Sequence, residues 1–424
     1  MRILVLGSGA REHAILLALK GEDAGHDLFA APGNAGIAAD ATIVADLDAN
    51  SPAAVTEYAN DHDIDLVIIG PEAPLVAGVA DALREHGVPV FGPGRAAAQL
   101  EGSKAFAKRI MDAAHVPTGR ATRATTRAEV EAALDAYGAP HVVKADGLAA
   151  GKGVVVTDDR EAALAHADTY LPTGPVLVEE FLSGPEVSLF FVSDGDTVRA
   201  LSPAQDFKRA YDGDAGPNTG GMGAYSPLPW LSDDFGSEEA FVAEVTRTVA
   251  EPVIRTLDAE GTPFIGLLYA GLILTADGIK VIEFNARFGD PETQVVLARL
   301  TSPLSRLLMA AASGTLEDEP APTFAGTAAI TVVLASEGYP EAPRTGRVIT
   351  GLDAAASVPG VHLAHAATAV QGDGVVATGG RVLNVVATAA SFSAARDQAY
   401  AALERIDLEG SHYRRDIAAR VALD

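Results

Sequence analysis

The sequence predicts a mixed α/β and α+β multidomain protein that opens with a doubly wound parallel sheet. Three observations carry that expectation. Over the first hundred residues, short apolar runs alternate with helical segments, the pattern of parallel strands joined by helices. Each of those runs ends in a Gly-rich or Gly/Pro turn: Gly7-Ser8-Gly9, Gly70-Pro71-Glu72 and Gly92-Pro93-Gly94. From Pro117 the rhythm changes to short strands and helices, and after Thr327 to alternating strands. A chain of 424 residues has room for roughly two to four domains of about 100–200 residues each. We divide it at 1–102, 103–325 and 326–424.

Taken in order, Ile3–Leu6 reads as a buried strand, then a turn, then a helix from Glu12 to Leu19. Leu66–Ile69 and Val88–Phe91 are further strands. In such sheets ligands gather at the carboxyl ends of the strands, where these turns fall. Ser103–Ala114 reads as a helix capped by Ser103. Strands follow at His141–Lys144, Gly153–Val156, Val176–Glu179 and Glu186–Val192. Residues 202–230, rich in Gly, Pro, Asn and Asp, read as a long loop, a feature that usually serves function. Leu267–Leu274 and Gly278–Phe284 read as paired strands. The last region carries strands at Ala328–Leu334, Arg347–Ile349 and Val382–Val386, then helices at 391–405 and 413–421.

Composition excludes several classes. With 57 acidic and 31 basic residues the net charge is −26, which opposes a sequence-independent grip on nucleic acid. There is no cysteine, hence no disulfide, thiolate nucleophile or cysteine zinc site. No apolar stretch approaches the ~20 residues that span a bilayer, and Met1–Gly7 runs straight into a strand without the layout of a secretion signal. The expected setting is the cytoplasm, away from membrane and nucleic acid, with a monomer as the working unit.

Four segments carry candidate chemistry. Gly7-Ser8-Gly9-Ala10-Arg11-Glu12-His13 departs from the dinucleotide fingerprint, because Glu12 stands where a third glycine is needed. A glycine turn at a helix N-terminus still presents N–H groups to an anion; the bland alternative is a tight turn. Lys144-Ala145-Asp146-Gly147-Leu148-Ala149-Ala150-Gly151-Lys152-Gly153-Val154 joins two strands through three glycines and two lysines, suited to folding over a polyphosphate. It lacks the P-loop spacing, and a surface hairpin is its bland alternative. Val178-Glu179-Glu180-Phe181-Leu182 ends a strand and offers backbone groups to a base edge, with Glu186 placed for sugar hydroxyls. Lys280–Glu292 is the sharpest. Strand alternation puts Glu283, Asn285 and Arg287 on one face and Ile282 and Phe284 on the other. A carboxylate beside an amide oxygen is a hard-oxygen pair suited to a magnesium-like cation, and an arginine beyond steadies phosphoryl or carboxylate charge. The ten histidines, His13 and His141 among them, show no paired metal spacing.

Together these segments resemble the ATP-grasp superfamily and, within it, the phosphoribosylamine–glycine ligases. The resemblance covers essentially the whole chain. Beyond the segments above it rests on Ala31-Pro32-Gly33-Asn34-Ala35-Gly36, Leu100-Glu101-Gly102-Ser103-Lys104, Gln205-Asp206-Phe207-Lys208-Arg209 and Gly216-Pro217-Asn218-Thr219-Gly220-Gly221-Met222-Gly223. It implies a central ATP-grasp domain with a mobile lid subdomain at about 117–191, followed by a small β-rich C-terminal domain. It also implies ATP-dependent joining of glycine to 5-phosphoribosylamine through glycyl phosphate, with Mg²⁺ or Mn²⁺. Lys104 and Lys144 would contact ATP phosphates, with Gly147, Gly151, Lys152 and Gly153 as the lid loop. Glu179, Glu180, Phe181 and Leu182 would bind adenine and Glu186 the ribose. Glu283 and Asn285 would hold the metal. Arg287, Lys208 and Asp290 would act at the glycine carboxylate, with Glu292 near. Gly9, Asn34, Glu72, Asp212, Thr219, Gly220 and Gly221 would enclose phosphoribosylamine, its 5-phosphate left to Arg344 or Arg381 on charge alone.

Two departures stand out. Tyr269-Ala270-Gly271-Leu272, the strand before Glu283, offers no second metal carboxylate, and Pro185 precedes Glu186 where another acid would be unsurprising. The rival readings are another ATP-grasp ligase or carboxylase, an oxidoreductase, and a non-catalytic nucleotide-binding module. Arg287-Phe288-Gly289-Asp290-Pro291-Glu292 opposes the first, the missing glycine opposes the second, and Glu283, Asn285 and Arg287 together oppose the third.

Overall fold

The computed structural model describes residues 1–147 and 153–423. The first sheet is parallel and five-stranded, ordered Thr42–Ile43, Asp27–Pro32, Arg2–Gly7, Leu66–Ile69, Val90–Phe91. Ile3–Leu6 is buried on both faces, which is why this stretch is continuously apolar rather than alternating. The chain leaves the central strand first to one side and then to the other. That switch of direction opens a crevice between the Gly7–Gly9 and Gly70–Glu72 turns.

A second sheet, Ala121–Ala124, Val176–Glu179, His141–Ala145 and Val154–Thr157, is antiparallel and covered by helices Arg127–Tyr137 and Arg160–Tyr170. It has its own small hydrophobic core around Val130, Leu134, Val143, Leu164 and Val178. The expected lid boundary near 191 runs past this sheet. Strand Glu186–Asp194 belongs instead to a third sheet, with Val198–Ala200, Ile265–Thr275 and Gly278–Asn285. Its run from Val187 to Ser193 is buried, so it needs a partner on both edges and finds them there.

The long loop expected at 202–230 contains four short strands. Gln205–Asp206 and Gly223–Ser226 join Ala328–Ala335, Arg381–Ala389 and Val361–His365 in a five-stranded sheet, while Arg209–Tyr211 and Ala215–Asn218 form a hairpin above it. The last sheet therefore takes two strands from the middle of the chain, and a boundary at 326 cuts through it. Short strands leave no period for a sequence reading to detect. Helix Phe392–Leu403 packs Ala395, Ala399 and Ala402 against that sheet. The second expected helix, 413–421, is irregular chain followed by turns. Ala418 has φ of 55°, and the Arg414 side chain is committed to the hairpin, donating to the Arg209 carbonyl at 3.1 Å and to Asp214 at 2.8 Å. Neither suits a helix interior. Val88 and Pro89 precede a strand of two residues, Val90–Phe91.

Candidate functional site

The site lies where the first, second and third sheets meet, and its floor is strand Gly278–Asn285. Glu283 pairs with Gly271 and Asn285 with Tyr269. Between Glu283 and Val281 the register slips and Ile282 drops out of the pairing. Val281, rather than the expected Ile282, joins Phe284 in the core. Bulges of this kind re-aim side chains beside active sites. Gly271 makes room, since a Cβ there would stand 3.3 Å from Glu283 Cγ. Among the described residues nothing donates a hydrogen bond to the Glu283 carboxylate. Burial pushes its pKa up, yet the fields of Lys208, Lys144, Lys104 and Arg287 together outweigh burial and hold it below the ordinary range. A carboxylate kept ionised and unpaired beside the Asn285 amide fits a divalent cation. No group of three or more His, Cys, Asp or Glu among the described residues does so, so oxygens from a ligand would complete any such site.

Around this floor stand the cations. Lys144, at the end of strand His141–Ala145, pairs with Glu179 at 2.8 Å, both buried. Lys104 starts helix Lys104–Ala113 and donates to the Gly147 carbonyl at 3.0 Å. Burial lowers its pKa, against the pull of Glu283. Asp146 accepts from the Lys104 amide at 2.8 Å and from Ser103 Oγ at 3.2 Å, tying the second sheet to that helix. Lys208 pairs with Glu186 at 2.6 Å. Burial works against its charge, but Asp206, Glu186 and Glu283 hold its pKa well above the usual range. Glu180 is held by Arg120 at 2.6 Å and Lys280 at 3.6 Å. Phe181 is left 45% exposed beside Leu182. Gly147 and Gly153 border the loop expected over a polyphosphate; Gly151 and Lys152 lie outside the described residues.

Arg287 follows the floor strand. It pairs with Glu101 at 2.8 Å, donates to the Phe288 carbonyl at 3.0 Å, and approaches Glu72 at 3.7 Å. Its pKa is raised because Glu101 and Glu72 outweigh its burial, and Glu72 is lowered because Arg287 does the same for it. Glu12 fills the slot of the missing glycine: a Cβ on Gly70 would fall 2.1 Å from its carboxylate and one on Gly7 2.5 Å from its Cγ. It accepts from the Gly9 amide at 2.6 Å and from Arg11 at 2.5 Å, so that turn is closed by a side chain rather than by a ligand's phosphate. Asn34 has all its polar atoms in use. It donates to the Ser8 and His365 carbonyls and accepts from the Gly36 and Ile37 amides, at 2.8–2.9 Å. Beside it His13 pairs with Asp40 at 2.8 Å and accepts from the His365 amide at 2.8 Å.

The remaining candidates sit on or after the hairpin, in the turn at Asp290 and in the C-terminal region. Thr219 Oγ1 donates to the Lys208 carbonyl at 2.9 Å and accepts from the Gly221 amide at 3.0 Å. Asp212 accepts from the Arg415 amide at 2.7 Å. Asp290 has both carboxylate oxygens engaged, with Arg381 at 3.0 Å and Gln294 at 2.8 Å. Arg344 lies 64% exposed on Glu337, away from these groups.

Several residues of the site escaped the sequence reading. Lys108 donates to Thr118 at 2.9 Å and reaches Glu179 at 3.5 Å, one turn along the helix from Lys104, a spacing that could have marked it. Glu101 holds the Ala286 amide at 2.8 Å as well as Arg287. Glu292, by contrast, was expected near Arg287, and it accepts from Tyr269 at 2.6 Å and Ser188 at 3.2 Å. Asp206 accepts from no other side chain among the described residues, and burial, with Glu292 and Glu186 near, outweighs Lys208 and a backbone hydrogen bond and pushes its pKa up to about 7. Glu101 and Asp206 lay inside quoted motifs, but nothing local told them from solvated acids.

A cluster of lysines around a lone metal-suited carboxylate, roofed by a small separately packed sheet, defines an ATP-dependent ligase of the ATP-grasp class. Comparison with known proteins narrows this. Residues 1–101, 102–293 and 329–420 match the N, ATP-grasp (A) and C domains of phosphoribosylglycinamide synthetase, and the chain belongs to that family, whose role is in purine biosynthesis. It is 69% identical over 422 residues to a phosphoribosylamine–glycine ligase of Leifsonia xyli, covering 99% of this chain and all of that one. A ligase of the same name from Streptomyces coelicolor is 59% identical over the full length of both. The crystal structure of the Thermotoga maritima phosphoribosylamine–glycine ligase is similar with a TM-score of 0.81 at 33% identity, covering 98% of this chain and 100% of that one. A biotin carboxylase domain from Hydrogenobacter thermophilus shares the fold alone, with a TM-score of 0.70 at 17% identity over 97% and 91% of the two chains. Membership in this class implies use of ATP with a divalent metal and small-molecule substrates. No helix among the described residues is long and apolar enough to cross a membrane.

Proposed function

We propose that this chain joins glycine to 5-phosphoribosylamine, giving glycinamide ribonucleotide, ADP and phosphate, in the cytoplasm, as a monomer and without nucleic acid. The observation that carries the reading is the ring of Lys104, Lys144, Lys208 and Arg287 around Glu283. Phosphoryl transfer asks a protein mainly for positioning and charge stabilisation, and that ring supplies both. Glu283 and Asn285 would hold Mg²⁺ or Mn²⁺, which when bound neutralises phosphate charge.

Lys104 and Lys144 take the ATP phosphates under the Gly147–Gly153 loop, where Gly151 and Lys152 also belong. Glu179, Glu180, Phe181 and Leu182 receive adenine. Glu186 gives up Lys208 to the phosphates and takes the ribose hydroxyls. A glycine carboxylate oxygen attacks the γ-phosphorus and ADP leaves; Arg287 and Lys208 stabilise the charge. The amine nitrogen of phosphoribosylamine then attacks the acyl carbon, phosphate leaves, and the amine proton passes to a carboxylate of the cleft. Asp206, with its pKa near 7, suits that transfer. Gly9, Glu72, Asp212, Thr219, Gly220 and Gly221 border the second substrate. Asn34 acts by holding the Ser8 and His365 segments together, and Asp290 by holding its turn. The closed lid keeps water from the acyl phosphate.

The test is ADP release with ATP, Mg²⁺ and phosphoribosylamine, with and without glycine. Release that needs both substrates supports the reading. Release with another carboxylate in place of glycine would keep the class and overturn the substrate. No release with any carboxylate, in folded protein that binds ATP, would overturn the ligase reading altogether.

A further inference from the structure

Arg381 opens strand Arg381–Ala389 and sends its guanidinium across to the site. Nη1 donates to the carbonyls of Gly220 at 2.6 Å and Asp290 at 2.9 Å, and lies 3.5 Å from that of Gly221. Nη2 donates to Asp290 Oδ2 at 3.0 Å, while Gln294 donates to Oδ1 at 2.8 Å. From the same region Tyr339 Oη accepts from the Gly220 amide at 3.0 Å. The two segments approach so closely that only glycine fits between them. A Cβ on Gly220 would stand 2.9 Å from Arg381 Cζ, and one on Gly221, at φ of 107°, 2.4 Å from Pro291 Cδ. The register continues inward: the Thr219 amide and hydroxyl both donate to the Lys208 carbonyl, at 2.7 and 2.9 Å. On the far side of the hairpin Arg414, Asp416 and the Arg415 amide hold Arg209, Gly213, Asp214 and Asp212.

We propose that Arg381 is a positioning residue for the ligation: it staples the 216–223 loop to the 287–292 turn, so that the C-terminal sheet builds the active site. The inference rests on the reading of those segments as substrate-facing. A forked planar guanidinium can reach carbonyls and a carboxylate at once, whereas an ammonium cannot reproduce that fork. Charge alone would have made Arg381 a phosphate holder, but Asp290 already neutralises it.

The experiment compares Arg381→Ala, Arg381→Lys and Tyr339→Phe with the wild-type chain, by steady-state kinetics in all three substrates and by hydrogen exchange of the 216–223 and 287–292 peptides. A small displacement of a positioning segment costs about 100-fold. We expect kcat to fall by about that factor in both Arg381 variants, with the KM for ATP within about twofold of wild type. Amide protection should drop at 216–223, and added guanidinium should restore part of the rate in Arg381→Ala. A KM for phosphoribosylamine raised at unchanged kcat would make Arg381 a phosphate ligand and overturn the staple. So would full kcat, or unchanged exchange. Should Arg381→Ala fail to fold, Arg381→Lys and Tyr339→Phe carry the same readouts, the latter with a smaller loss in kcat; full kcat in both overturns the proposal. Absence of glycine-dependent turnover in the wild type would defeat the functional reading alone, because hydrogen exchange reads the staple without substrate.

Discussion

The two walls of the cleft are built differently. On the side expected to take ATP, the second sheet packs on its own small core and reaches the rest of the molecule chiefly through polar contacts, those of Asp146 with the Lys104 helix, Lys108 with Glu179 and Lys280 with Glu180. On the opposite side, the hairpin at 205–223 is sewn into the C-terminal sheet by backbone pairing and gripped by Arg381, Tyr339 and Arg414. A wall with few cross-contacts opens at little cost. A wall held by forked guanidinium contacts does not. The difference teaches that two walls of one cleft can be fastened to it in different ways, one by a few polar ties and the other by sheet pairing and forked side chains.

The largest expected effect belongs to the floor between the walls. Glu283→Ala should lower ADP release by about 1,000-fold or more, since it removes charge stabilisation that counts in the transition state, while thermal unfolding shifts little. A loss of less than tenfold would remove Glu283 from the site. Next, Asp206→Asn tests the preset wall by pH. The folded-state pKa near 7 lies above the ordinary 3.8, so this group's contribution to stability is full below about pH 4 and is lost as pH rises through 7. The variant should therefore gain in melting temperature over wild type as pH climbs from 5 to 8; a difference that stays flat over that range sinks the assignment.

Two smaller effects follow, one beside the first sheet and one at the roof. Asp40 is held down to about 2 by its hydrogen bond from His13 and by Lys20. A lowered carboxylate contributes above its unfolded pKa, so Asp40→Asn should cost at most about 2 kcal/mol at neutral pH, with the deficit vanishing as pH falls from 4 toward 2. Urea midpoints at several pH values measure it. Asp146→Ala removes a helix cap and the tie of the roof, costing about 1 kcal/mol. Its signature should be a KM for ATP raised by several-fold with the KM for phosphoribosylamine untouched; if both rise equally, the walls are not independent.

Much of this could be read without coordinates where function is local. Strand alternation placed Glu283 beside Asn285 because neighbours on a strand need no distant partner to share a face. The helix capped by Ser103 was legible for the same reason. The strands at 205–226 were not, since they are two to four residues long and only Gly223–Ser226 is anchored on Ala328–Ala335, the others pairing with it or with one another. Tyr413–Val421 looked helical by composition and was overruled by the burial of Arg414, which is 1% exposed.

By itself, then, the sequence determined the parallel opening sheet and the shared face of Glu283 and Asn285, both of which follow from periodicity and short-range spacing. Tertiary structure alone decided what Asn34, Asp290 and Arg381 do. Each is a polar residue whose partners lie on other segments of the chain, apart from the neighbours each also uses, and the partner determines whether such a group meets a ligand or holds the wall that does. Those contacts cross 331 residues for Asn34 with His365 and 91 for Asp290 with Arg381, distances at which a motif carries no information about who meets whom.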